Sequence, residues 1–162
     1  MSRRRRNSTL RRRKRASFTS KGVVSKKPKS RTINRSMDLI KRLQKVPTAT
    51  VSDALDKLGL QGGMEGISPL TEGITLCGPA LTVKEDVGEL GTYSLDEFRI
   101  GEVINVAKRN DVIVFDAGGH KVSTWGGLAT RAAIAKGVGG VVADGAVRDI
   151  EEIRKLRFPV FA

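Results

Sequence analysis

The sequence predicts an α/β domain, because buried strands and helices alternate along its second half. The apolar runs "DVIVFDAGG" (111–119) and "GGVVAD" (139–144) are typical of central strands that are covered on both faces. The segments "TWGGLATRAAIAKG" (124–137) and "RDIEEIRKLR" (148–157) have helical patterns, and "FPVFA" (158–162) begins another strand. This order favours a layered sheet with largely parallel pairing, whose ligand crevice lies at the carboxyl ends of the strands.

The first half of the body predicts helices, then a strand, then a helix. "MDLIKRLQKV" (37–46) is a helix that Pro47 stops, and "TATVSDALDKLGL" (48–60) is a second helix that Thr50 or Ser52 can cap and Gly59 can end. "ITLCGPALTVKE" (74–85) reads as one or two strands with a bend at Gly78-Pro79. "SLDEFRIGEVINVAKRND" (94–111) is a helix with a capping-box pattern. Its capping residues are Ser94 and Glu97, and its inward candidates are Phe98, Val103, Ile104 and Val106.

The positive charge is concentrated at the N-terminus. Residues 1–35 carry 15 Lys and Arg and no acid, whereas residues 36–162 carry the other 15 and all 17 acids, so +15 and −2 give the net +13. We therefore predict a disordered basic tail over 1–36 and a folded domain over 37–162. Three roles stay open for the tail: sequence-blind nucleic-acid binding, organelle targeting, or a start upstream of the native one at Met37.

Other features narrow the class of protein. The single cysteine, Cys77, excludes an internal disulfide and fits a reducing cytosol, so we expect a cytoplasmic location. No apolar run approaches the ~20 residues that a membrane span requires, and the basic N-terminus lacks the apolar core of a secretory signal.

The stretch "WGGLAT" (125–130) is a candidate anion site. Gly126 and Gly127 open a helix whose free N–H groups and dipole attract a carboxylate or phosphate. The alternative is a turn that only lets helix and strand pack closely. Trp125 could line this mouth or cover the edge of the core.

Arg148 and Asp149 are adjacent at the start of the next predicted helix. A guanidinium grips a carboxylate with two hydrogen bonds, and a carboxylate is a hard ligand for Mg²⁺ or Mn²⁺. The alternative is helix capping by Asp149 with Glu152 as its capping-box partner. Three further candidates are weaker: a lone histidine in a loop and two strand-end acids that could support the site or satisfy loop amides. These are His120, Asp116 and Asp144.

The stretches "NDVIVFDAGG" and "WGGLATRAAIAKGVGGVVADGAVRDIEEIRKLRFPVFA", and more weakly "TATVSDALDKLG" and "GPALTV", resemble the family of the regulator of ribonuclease E activity A (RraA) and the 4-hydroxy-4-methyl-2-oxoglutarate aldolases. The resemblance covers residues 37–162. It implies a swivelling β/β/α layered sandwich, a homotrimer with sites between subunits, and a divalent cation, Mg²⁺ or Mn²⁺.

The resemblance also implies residue roles. The backbone of Gly126, Gly127, Leu128 and Ala129 would hold the pyruvate carboxylate, Arg148 would bind substrate, and Asp149 would bind the metal. The implied activity is cleavage of 4-hydroxy-4-methyl-2-oxoglutarate-type acids to pyruvate, or decarboxylation of oxaloacetate, without a lysine Schiff base. The implied alternative is a non-catalytic regulator that binds a ribonuclease E-type protein.

Two departures from the family pattern bear on these expectations. Aldolase members carry an acid twenty-one residues before the arginine, where this chain has Gly127. The family also continues beyond "PVFA" with strands and residues that complete a neighbouring site. The resemblance therefore predicts a C-terminally incomplete domain whose aldolase step is in question.

Overall fold

The computed structural model describes residues 30–89, 92–94 and 99–162. Helices in these ranges are α1 (Ser30–Leu43), α2 (Thr48–Lys57), α3 (Ile100–Val106), α4 (Gly127–Lys136) and α5 (Ile150–Leu156). Strands in the same ranges are β1 (Ala80–Lys84), β2 (Val112–Asp116), β3 (Ser123–Trp125), β4 (Gly140–Asp144), β5 (Ala146–Val147) and β6 (Val160–Phe161). None of the helices in the described part of the chain is both long and apolar enough to cross a bilayer.

Four strands form one parallel sheet in the order β1-β2-β4-β6, and β3 pairs with β5 in a second, two-stranded parallel sheet. The predicted α/β class with parallel pairing is confirmed. Residues 68–70 run antiparallel to β6, with Leu70 N–H donating to Val160 O at 2.9 Å. The register aligns Lys84, Asp116 and Asp144 at the carboxyl edge of the main sheet, as expected for parallel strand ends.

The core lies on both faces of β2 and β4. Ile113 and Val141 are fully buried in these strands, which explains why both sequences are continuous apolar runs rather than alternating ones. The residues that pack around them come from α3, β3, α5 and the β6 region: Ile104, Trp125, Ile153, Phe158 and Val160.

The first half departs from the sequence predictions at several boundaries. Helix α1 begins at Ser30 rather than Met37, so residues 30–36, which the sequence placed in the tail, belong to a helix. Helix α2 follows Pro47 directly and has no side-chain cap, so capping by Thr50 or Ser52 is wrong. Proline can occupy this place because the N–H groups at a helix start have no partner within the helix.

Helix α3 is shorter than the pattern predicted. It begins at Ile100, and the predicted capping partner Glu97 and the inward candidate Phe98 lie outside the described residues. Ile104 is buried as predicted, but Val106 is 63% exposed, because the chain turns extended at Ala107.

Candidate functional site

The pairing of β3 with β5 brings the two candidate motifs together. Arg148 N–H, just after β5, donates to Trp125 O at 2.9 Å, just before the glycine turn. The Arg148-Asp149 pair therefore lies against Gly126 and Gly127, although twenty or more residues separate them in sequence. The short strands β3 and β5, of three and two residues, had no separate signal in the sequence.

The glycine turn is attached to the core by a chain of buried hydrogen bonds. The indole Nε1–H of Trp125 donates to Thr130 Oγ1 at 2.8 Å, and that hydroxyl donates to Gly126 O at 2.9 Å. Trp125 is 1% exposed and packs on Phe115 with ring centroids 5.8 Å apart. Trp125 thus belongs to the core and also lines the cleft beside the turn, so the turn is held from beneath.

The two glycines are required by close approach rather than by unusual backbone angles. Gly126 is extended, with φ −160°, a conformation that any residue adopts. A Cβ there would lie 2.8 Å from Asp149 Oδ2 and 2.9 Å from Arg148 Cγ. A Cβ on Gly127 would overlap the Glu152 carboxylate and lie 2.7 Å from its Cδ. The space that side chains would fill is occupied by these neighbouring groups.

Asp149 does not cap its own helix. It stands before α5 with φ 58° and makes no side-chain hydrogen bond to that helix. Its Oδ2 instead accepts from Gly127 N–H at 2.9 Å, the first amide of α4. Glu152, the other half of the suggested capping box, pairs with Arg131 at 2.6 Å. The capping-box alternative is therefore wrong, and the Asp149 carboxylate stabilises the N-terminus of the neighbouring helix.

The contact between Asp149 and Gly127 reduces the number of backbone amides that the predicted anion site can offer to a ligand. The Gly127 amide is already used by Asp149, whereas the N–H groups of Leu128 and Ala129 have no hydrogen bond within the described residues. Both belong to the first turn of α4, where amides lack intrahelical acceptors. Leu128 is 83% exposed, so an incoming carboxylate can reach this part of the turn.

Two clefts meet at the Arg148-Asp149 pair. One of about 260 Å³ contains the turn itself, with Trp125, Gly126, Leu128 and Ala129 in its wall. The other, about 790 Å³ and open, lies toward α5, and its wall includes Arg131, Glu152 and Lys155. Arg148 is 74% exposed and its Nε lies 3.9 Å from Asp149 Oδ2, a distance that leaves its fork of donors available to a ligand.

A divalent cation fits Asp149 as one carboxylate ligand. Its Oδ2 is fixed by the Gly127 amide, and its Oδ1 has no partner within the described residues. No group of three His, Cys, Asp or Glu side chains comes together anywhere in the described ranges. Magnesium is compatible with such a site, because it keeps several waters and often binds one or two protein carboxylates plus substrate oxygens.

The weaker candidates lie elsewhere. Asp116 accepts from Lys84 Nζ at 3.0 Å and from Gly118 N–H, and both contacts lower the pKa of its carboxyl, whereas the same ion pair raises the pKa of Lys84. Asp144 accepts from Gly119 N–H at 3.0 Å, and His120 shares clefts with these acids rather than with Arg148. The strand-end acids thus satisfy loop amides, one of the two roles suggested for them.

Fold and site together define an α/β domain with a parallel sheet and a glycine turn, at the start of a helix, that lies beside an Arg-Asp pair. Residues 48–162 match the sequence profile of the RraA-like family, described as Aldolase/RraA. The chain therefore belongs to the RraA-like family, which confirms the predicted relationship and fold.

The proteins similar to this chain include one named as an aldolase and one named as an RraA protein. A putative 4-hydroxy-4-methyl-2-oxoglutarate aldolase of Halalkalibacterium halodurans is 36% identical over 77% of this chain and 56% of its own length. Protein DlpA of Legionella pneumophila is 35% identical over 76% of this chain and 20% of its own. The crystal structure of Streptomyces coelicolor RraAS2, described as an unusual member of the RNase ES inhibitor RraA protein family, superposes with a TM-score of 0.65 at 26% identity, covering 76% of this chain and 61% of that one. The chain spans 20–56% of the length of the curated relatives that it matches.

Proposed function

We propose that the chain is a divalent-metal-dependent lyase for small 2-keto acids. Its reaction is retro-aldol cleavage of 4-hydroxy-4-methyl-2-oxoglutarate-type acids to pyruvate, decarboxylation of oxaloacetate, or both. The observation that carries the proposal is the placement of Arg148 and Asp149 against the open amides at the start of α4. The name of the Halalkalibacterium relative agrees with this chemistry.

Each residue has a task that its position allows. The Leu128 and Ala129 N–H groups and the Arg148 guanidinium receive the carboxylate next to the keto group, since these donors surround one cleft and are open to a ligand. Asp149 holds Mg²⁺ or Mn²⁺ through the oxygen that Gly127 leaves free. When bound, the cation supplies Lewis-acid stabilisation of the charge that develops on the 2-keto oxygen. Gly126 keeps these groups in contact because it has no side chain to separate them.

The test is pyruvate release from 4-hydroxy-4-methyl-2-oxoglutarate and from oxaloacetate by the full chain, with Mg²⁺ or Mn²⁺ and with a chelator. We expect turnover that depends on the cation and is lost in Asp149→Asn. Asp144→Asn is the matched control, because that carboxylate also accepts a loop amide but lies in a different cleft. Turnover that survives both chelation and Asp149→Asn refutes the mechanism.

A second candidate is a non-catalytic regulator that binds a ribonuclease E-type protein, and the similarity to the Streptomyces protein of the RNase ES inhibitor family favours it. Gly127 in place of the acid that aldolases carry also favours it. Immobilised full chain would then retain a ribonuclease E-type protein and inhibit its RNA cleavage. Retention of RNA itself would instead involve the basic residues 1–36, and their deletion tests that role. A homotrimeric assembly and a cytoplasmic location remain predictions, which mass measurement in solution and cell fractionation test.

A further inference from the structure

A carboxylate from α5 lies over the first residue of α4. The Glu152 side chain reaches the position that a side chain at Gly127 would occupy, so a Cβ there would overlap Glu152 Oε2. Its other oxygen, Oε1, accepts from Arg131 Nε at 2.6 Å. Arg131 therefore holds the carboxylate above the glycine, and Oε2 has no hydrogen bond within the described residues.

The other acidic side chains at the Arg148-Asp149 pair, Asp149 and Glu151, already have a hydrogen-bond or ion-pair partner. Asp149 Oδ2 is fixed by the Gly127 amide. Glu151 is 78% exposed and pairs with Arg154 at 3.1 Å, one helical turn along α5. Glu152 is 38% exposed, and its carboxylate lies over Gly127, the residue that precedes the amides we assign to the substrate. Apart from Asp149, whose free oxygen we assign to the cation, Glu152 is the described acid of these two clefts that has an unpaired oxygen at the turn.

We propose that Glu152 is the proton-transfer residue of this site. The inference rests on the proposed lyase function. In retro-aldol cleavage, Glu152 Oε2 accepts the proton of the 4-hydroxyl while the C3–C4 bond breaks and C4 becomes a ketone. The bonding electrons enter the pyruvate enolate, and the protonated Glu152 returns its proton to C3. Proton and electrons balance, and the products are two 2-keto acids.

The two proposed reactions should depend on Glu152 to different extents. Loss of CO₂ from oxaloacetate forms the enolate without a base, and the enolate can take its proton from water. Exchange of the pyruvate methyl protons with solvent does require a base. Glu152 should therefore govern proton exchange much more than decarboxylation, whereas a residue that only supports the fold would affect both equally.

The experiment compares these reactions in the full chain with Mg²⁺. Exchange of pyruvate methyl protons in D₂O is followed by proton NMR, and oxaloacetate decarboxylation by absorbance. We expect Glu152→Gln to lower exchange by ~100-fold or more, the usual contribution of a positioned acid or base, and to change decarboxylation little. Glu151→Gln is the matched control and leaves both rates unchanged.

A further test moves the carboxylate from position 152 on α5 to position 127 on α4. Glu152→Ala empties the space above the glycine, and adding Gly127→Asp returns a carboxylate to it from the other helix. Return of exchange in the double variant, with its circular dichroism unchanged, supports the inference. An equal fall of both rates in Glu152→Gln, or no fall in exchange, overturns the inference and leaves the lyase proposal standing. Absence of both reactions in the wild-type chain overturns the two together.

Discussion

Replacement of Asp149 by Asn separates the hydrogen bond that the structure shows for this residue from the cation binding that we propose for it. The side chain accepts the Gly127 amide at 2.9 Å, and under the proposed function its other oxygen binds the cation. Asparagine keeps an acceptor for the amide and tolerates the positive φ of 58°. It lacks the negative charge that a divalent cation requires. The Asp149→Asn variant should therefore fold but lose most of its cation-dependent release of pyruvate.

The expected loss of stability is small. A hydrogen bond to a charged group contributes about 1.5–3 kcal/mol and a neutral one about 0.5–1.5 kcal/mol, so neutralising the acceptor removes about 1 kcal/mol. Because the Asp149 side chain is 47% exposed, solvent screening reduces this to about 0.5 kcal/mol. Asp149→Ala also loses the whole hydrogen bond and places alanine at positive φ, so it should lose about 2 kcal/mol.

The two variants are compared by urea unfolding and by pyruvate release with Mg²⁺. Loss of about 3 kcal/mol of charge stabilisation corresponds to a rate reduction of roughly 150-fold, which both variants should show. Their stabilities should differ by about 1.5 kcal/mol in favour of Asn, from the same hydrogen-bond and backbone terms. If Asp149→Asn keeps its cation-dependent rate, or is as unstable as Asp149→Ala, the assignment of its two oxygens is wrong.

Three other predictions concern separate contacts. Thr124→Val should raise the free energy of unfolding by about 1 kcal/mol, because the buried Thr124 hydroxyl has no partner in the described structure and valine keeps its shape; a lower urea midpoint contradicts this. Gly126→Ala should keep the fold, since φ −160° suits alanine, but should raise the KM for oxaloacetate by displacing the Arg148-Asp149 pair; an unchanged KM contradicts it. The lowered pKa of Asp116 means that the stability difference between wild type and Asp116→Asn is complete at pH 7 and is lost as the pH falls below 3.8 through the folded-state value. Thermal unfolding of both proteins, at low and at high salt, measures this stability difference. The difference should shrink with salt because both partners of the ion pair are exposed.

The sequence was most informative where one physical requirement decides the outcome. Strands β2 and β4 are buried on both faces, so their apolar runs identify them regardless of the surrounding chain. Helix α4 ends at Gly137 with φ 80°, as its glycine predicted. The start of α1, the length of α3 and the strands β3 and β5 were not predicted correctly or at all. These elements depend on tertiary pairing rather than on local pattern, and two- or three-residue strands carry no periodicity to detect.

The candidate site was also predicted only in part from the sequence. The sequence placed Arg148 beside the glycine turn, but the pairing of β3 with β5, which brings the two motifs together, was not predicted. The sequence suggested that Asp149 could cap its own helix, α5, and gave no signal for its contact with the start of α4, because residues 22 apart in sequence form that contact. The sequence offered Glu152 only as the capping-box partner in one of two alternatives, and its contact with Gly127 was missed. That contact could be suspected only from an adjacent glycine pair, which signals that some other group occupies the side-chain space.

The glycine pair is therefore better explained as a support for Asp149 than as the anion site itself. Gly126 lets Arg148 and Asp149 approach the turn, and the Gly127 amide binds one oxygen of the carboxylate while the other has no partner among the described residues. In the proposed site, Asp149 would hold the cation through its second oxygen, while the hydrogen bond from Gly127 would orient the carboxylate. Under the proposed function, the substrate carboxylate would then use the next amides, those of Leu128 and Ala129. Since these two follow Gly127 in the same helical turn, ligand and cation would lie within one turn of α4, with Arg148 closing the site.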